Sequence, residues 1–147
     1  MKLVTHLQAV LLALGALSVV PVQAQTTCAN SSLSGDYSIT ITGSILAGPV
    51  TGLVNGVNLT HFDGAGTLAS VDHVIINGAL ATSADWRPGV GTYSVNSNCT
   101  GQASFSYPDG LSPGLTYFFV LTNHTRQMDI VVSTPGFNIT AGSTRVL

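Results

Sequence analysis

The stretch Gly91-Thr92-Tyr93-Ser94-Val95-Asn96-Ser97-Asn98-Cys99-Thr100-Gly101 decides the fold of this chain. Its first half alternates large and small side chains with period two, the pattern of a strand buried on one face and wet on the other, which turns Tyr93 and Val95 inward. Asn96-Ser97-Asn98 supplies turn residues that tolerate unusual backbone angles, and Gly101 opens a second strand reaching Tyr107. The stretch reads as a β-hairpin. It also carries Cys99, one of two cysteines in the chain, and the N-glycosylation sequon Asn98-Cys99-Thr100.

Working outward, the same pattern recurs. Residues 33–42 alternate strictly, with Tyr37, Ile39 and Ile41 on one face and Ser38, Thr40 and Thr42 on the other. Residues 43–56 are glycine-rich, carry Pro49, and read as a loop with a short edge strand at 50–54. Residues 57–62 form a strand, Asp63-Gly64-Ala65-Gly66 a tight turn, and 67–71 the returning strand. A further strand is expected over 73–80, interrupted at Asn77-Gly78, followed by a loop at 84–89. Beyond the hairpin, 108–114 is a turn-rich loop and 115–122, 128–133 and 140–147 are strands. The architecture expected is all-β: a single antiparallel up-and-down barrel of roughly eight to nine strands, because closure removes edges that would aggregate in a charge-poor chain; a β-sandwich is the alternative.

Lys2, the apolar residues 7–20 and Val22-Gln23-Ala24 together read as a signal peptide over residues 1–24, leaving residues 25–147 as one barrel domain. No second apolar run long enough for a membrane span follows, so the chain is expected in the lumen of the secretory pathway or secreted. After the leader there are three basic residues, Arg87, Arg126 and Arg145, against six aspartates, with no lysine and no glutamate. Three scattered arginines do not make the basic face a nucleic-acid partner needs. Sequons at Asn30, Asn58, Asn98, Asn123 and Asn138 make sugar the expected solubiliser. In an oxidising compartment Cys28 pairs with Cys99, closing a loop of roughly 70 residues worth about 4 kcal/mol in the chain-entropy model. The rival reading, two free thiols with one as nucleophile, has no accompanying Cys-His motif. Nothing in the sequence speaks to oligomeric state.

The combination of Gly35-Asp36-Tyr37, Phe62-Asp63-Gly64-Ala65-Gly66-Thr67-Leu68 and Gly91-Thr92-Tyr93-Ser94-Val95 with Cys99-Thr100-Gly101 resembles small secreted calycin-like (lipocalin-like) β-barrel proteins. Within them the glycosylated form resembles the fungal hetero-Diels-Alderases of tropolone sesquiterpenoid biosynthesis. That resemblance implies a barrel cavity, no cofactor, and an intermolecular cycloaddition joining a tropolone quinone methide to a terpene alkene.

A sequon inside a strand is a ruler, since a glycan cannot point into a core and strand side chains alternate. Sugar on Asn58 would turn Val57, Leu59 and His61 inward; Asn123 in strand register would turn Thr116, Phe118, Val120 and Thr122 inward. On that basis His61 is a candidate general acid or hydrogen-bond donor in an apolar pocket, or else a satisfied core histidine. Trp86-Arg87 is either a lid, with Arg87 meeting an oxyanion or enone oxygen, or a barrel plug with Arg87 paired to Asp85. Tyr37, Tyr93 and Phe118 are candidate cavity residues, the two tyrosines being ordinary core in the plainer reading. The mature histidines His61, His73 and His124 lack ligand-like spacing, so no metal site is expected.

Hydrolase signatures are weak: the one Gly-x-Ser-x-Gly string, Gly110-Leu111-Ser112-Pro113-Gly114, falls in the turn-rich loop with no helical pattern after it, and there is no glutamate for a carboxylate dyad. The expected function is a barrel that binds a small hydrophobic molecule, with catalysis by positioning, with His61 and Arg87 in the catalytic roles and Tyr37, Trp86, Tyr93 and Phe118 against the substrate. The alternatives are a carrier using the same cavity and a structural secreted glycoprotein with a filled barrel.

Overall fold

The computed structural model describes residues 27–108 and 114–146. The expected signal peptide, and Asp109 to Pro113 within the turn-rich loop, lie outside the described residues.

A single 3-10 turn, Asn30–Ser32, leads into nine strands: β1 Ser34–Ile45, β2 Gly52–Asp63, β3 Thr67–Ile76, β4 Ala79–Leu80, β5 Arg87–Val95, β6 Thr100–Ser106, β7 Leu115–Thr122, β8 Gln127–Val132 and β9 Phe137–Arg145. All pairings are antiparallel. Each long strand pairs with its sequence neighbour, β3 pairs with β5, and β1 pairs with β9, which closes an eight-stranded up-and-down barrel. The two-residue β4 is an appendage on the end of β3. Closure removes the sandwich alternative.

Three boundaries differ from the sequence reading. The glycine-rich segment before Val57 belongs to β2, which runs unbroken from Gly52 and pairs along the whole of β1. Residues 67–76 form one strand, with Asp72 inside it, and Asn77-Gly78, both at positive φ (52° and 84°), turn the chain into β4. Arg87 to Gly89, expected in a loop, open β5.

One end of the barrel is solid. Phe62 is fully buried between Tyr37 and Tyr93, meeting both edge-to-face at centroid distances of 5.5 and 5.1 Å. The Tyr37 hydroxyl donates to Thr125 O at 2.6 Å and the Tyr93 hydroxyl to Leu33 O at 2.8 Å. Leu33, Met128, Phe119 and Leu121 complete the packing. The Cys28–Cys99 disulfide, with Cα atoms 5.0 Å apart, fastens the N-terminal turn across this end. Asn30 assists: its carboxamide accepts from Val95 N and donates to Ala65 O. In the opening hairpin, Gly101 is required because the Phe119 ring lies where its Cβ would be.

Candidate functional site

The other end of the barrel is hollow. A cavity of about 430 Å³ lies there, bounded beyond the strand ends by Ala47 to Val50, Ala81, Thr134 and Pro135. Alternation dictates its lining. Inward positions of β1, β8 and β9 supply Ile39, Ile41, Ile130, Ile139 and Ala141, so this wall is apolar.

The opposite wall is polar and lies across β2, β3 and β5. Register sets Asn58 opposite Asp72, and Asp72 opposite Arg87, in one row. Arg87 Nε donates to Asp72 Oδ1 at 3.0 Å and Nη2 to Oδ2 at 2.9 Å, a bidentate ion pair. The Tyr107 hydroxyl donates to Asp72 Oδ2 at 2.6 Å, and the guanidinium carbon sits 3.4 Å from the centre of the Tyr107 ring. Asp72 is only 2 % exposed, and these three donated hydrogen bonds offset the cost of burying its carboxyl group. One row towards the packed end, Thr60 faces Ser70. The Thr60 hydroxyl donates to Asn58 Oδ1, whereas the buried Ser70 Oγ has no partner among the described residues. Gly89 in β5 makes room for the Phe105 ring, which lies over its backbone and forms part of the floor. Tyr117, on β7, lines the cavity; burial pushes its phenol well above the ordinary range.

Of the residues singled out from sequence, Arg87 is in this site, with Asp72 rather than Asp85 as its partner. Trp86 neither plugs nor lines the cavity: it is 55 % exposed and packs against the His73 ring at 5.8 Å. Tyr37 and Tyr93 do point inward, but into the solid end, where burial pushes both phenols up and backbone carbonyls take their hydroxyl protons.

Two inward assignments are corrected. His61 faces outward, its side chain 60 % exposed and bonded through Nδ1 to Asp36 at 2.7 Å, while Asn58 lines the cavity. The ruler failed because Asn58 was assigned the outward face; the β2 parity instead follows Phe62, whose burial against two tyrosines is worth more, at about 2 kcal/mol, than a solvated asparagine. Phe118 is likewise outward, 48 % exposed beside Val131, and Phe119 is the buried residue. Here Asn123 lies in the turn at positive φ, outside the strand, so its parity does not extend into β7.

Sequence reasoning missed Asp72, Tyr107, Tyr117 and the inward Asn58-Thr60 pair. The one signal was the rarity of opposite charges, Asp72 and Arg87, but Asp72 falls between two expected strands and Arg87 in an expected loop, so nothing in the sequence sets them side by side.

Among the described residues no group of three or more His, Cys, Asp or Glu side chains could hold a metal, and no helix is long and apolar enough to cross a membrane. Compared with protein-family models, curated proteins and solved structures, the chain matches none. What fold and site define is a closed calycin-like β-barrel able to take a small ligand.

Proposed function

We propose that this protein is a secreted barrel whose cavity holds a small, mostly apolar molecule. The observation that carries this reading is the hollow itself: about 430 Å³, apolar on one wall and with one buried polar cluster on the other. Ligand sites have this composition and a volume of roughly 300–1,000 Å³. A filled barrel would have left no such space. The direct trial is displacement of a neutral apolar dye such as Nile red from protein purified from a secretory host, beside the cavity-filling variant Ala141→Trp. Saturable binding by the native chain and its loss in a folded Ala141→Trp variant are expected; a native barrel that takes up no apolar probe sinks the reading.

A catalytic version of the same site is supported by the motif resemblance and by the character of the cavity. In an intermolecular hetero-Diels-Alder reaction a quinone methide, formed from a hydroxymethyl tropolone by loss of water, adds to a terpene alkene. One C–O and one C–C bond form at the expense of two π bonds, and no atom leaves. Such a step asks for two partners held in near-attack geometry and for donors toward the electron-poor component. The Arg87 and Tyr107 wall would face the oxygenated component and the isoleucine wall the terpene; His61, outside the barrel, has no part. Incubation with a hydroxymethyl tropolone and a humulene-type alkene tests it. Product yield and stereochemistry equal to the protein-free control would remove the catalytic version and leave the carrier.

A further inference from the structure

Resting on the reading of the cavity as a ligand site, we propose that the molecule it selects is electrically neutral and carries a hydrogen-bond-accepting oxygen, such as a ketone or enone, rather than a carboxylate.

The charge argument comes first. Among the described lining residues Arg87 and Asp72 are the one cation and the one anion, and they neutralise each other through two hydrogen bonds. A ligand carboxylate would enter a low-dielectric space with no net positive charge to meet it and with the Asp72 carboxylate in the same wall. Desolvation of an ion is then uncompensated. Neutral ligands avoid that penalty.

The donor argument is independent. Asn58 uses its carboxamide oxygen to accept from Thr60, while its NH₂ donates to no described residue. The Tyr117 hydroxyl also has no hydrogen bond to a described residue, and its raised pKa keeps it protonated. Both residues line the cavity. In the ring of eight strands β2 and β7 are four apart in either direction, so the two donors stand on opposite walls of the cavity, Asn58 beside the Asp72–Arg87 pair and Tyr117 across from it. Donors without acceptors in such a setting discriminate for a ligand that brings the acceptor.

Three probes of twelve carbons, dodecane, methyl decyl ketone and dodecanoate, competed against Nile red at about pH 7.5, where a carboxyl group is ionised, separate the outcomes. The ketone is expected to displace the dye about tenfold better than either of the others, the worth of one net hydrogen bond. Asn58→Leu and Tyr117→Phe should each narrow the ketone's advantage over dodecane, and the double variant should abolish it while dodecane still competes, which shows that the cavity persists. Tyr117→Phe removes a single hydroxyl and guards against a misfolded Asn58→Leu. Equal displacement by all three probes, or dodecanoate as the best competitor, overturns the inference and leaves the cavity reading standing; no binding of dye or probes overturns both.

Discussion

Asp72 and Arg87 face each other directly across β3 and β5, and their side chains close a bidentate ion pair inside the barrel rather than at its surface. In a chain with so few charges, placing two of them there makes this pair the organising polar feature of the interior. Removing one partner strands the other. Asp72→Leu or Arg87→Met alone is expected to cost about 3–5 kcal/mol in urea unfolding, and Tyr107→Phe about 1.5–3 kcal/mol. The double variant Asp72→Leu/Arg87→Met should recover most of the loss, since well-packed apolar residues replace a buried ion pair at little cost. A double variant no more stable than the worse single one would contradict this account of the pair.

Asn58 lies in a sequon but lines the cavity, whereas Asn98, Asn123 and Asn138 are exposed. A glycan attached to Asn58 would have to occupy the barrel interior. In protein secreted from a eukaryotic host, peptide mapping should therefore find Asn58 unmodified, and Asn58→Gln should leave the glycoform mass unchanged. A substantial glycosylated fraction at Asn58 in folded protein would show that the register of β2 is wrong.

His61 and Asp36 form an exposed pair, and exposed pairs contribute at most about 1 kcal/mol. His61→Ala should leave dye binding and any turnover unaffected. Loss of binding with the circular dichroism spectrum intact would return His61 to the site.

The Asp63 carboxylate accepts from the backbone N–H groups of Ala65, Gly66 and Thr67 at 2.7–2.9 Å. These bonds, Thr67 and Ala65 foremost, hold its pKa at about 2, below an ordinary 3.8. A depressed folded-state pKa gives stability that is fully present above the unfolded value and is lost as pH falls through the folded one. Stability conferred by this turn should thus hold down to about pH 4 and decline between about pH 4 and pH 2. Asp63→Asn, which keeps an acceptor but cannot titrate, should show a shallower decline in that window. Identical acid profiles for the two proteins would dismiss the turn as a source of pH dependence.

The barrel was legible because period-two alternation in β1 and β5 is clean and because Asp63-Gly64-Ala65-Gly66, Asn77-Gly78 and Asn96-Ser97-Asn98 punctuate the strands. The disulfide followed from counting: with two cysteines the expected pair is Cys28 with Cys99. Which face of a strand is buried was much less legible. In β2 the outward set includes Val57 and Leu59 and the inward set Val54 and Phe62, so hydrophobicity does not distinguish them. Asp72 was hidden for a related reason. An aspartate amid Val71, His73 and Val74 reads locally as a strand break, and only its cross-strand partner, fixed by closure of the barrel, makes it an interior residue.

The division of the barrel into a packed end and a hollow one also assigns separate duties to its side chains. The aromatic cluster around Phe62, the disulfide and the N-terminal turn lie together at one end, so the cohesion that keeps the cylinder shut is concentrated away from the lining. Shortening Ile39 or Ile130 would widen a space that already exists instead of opening a fresh void, and cavity creation is the expensive part of core truncation. The molecule is thus built like a stoppered flask: the stopper carries the strength, and the bowl is at liberty to be recut for another guest.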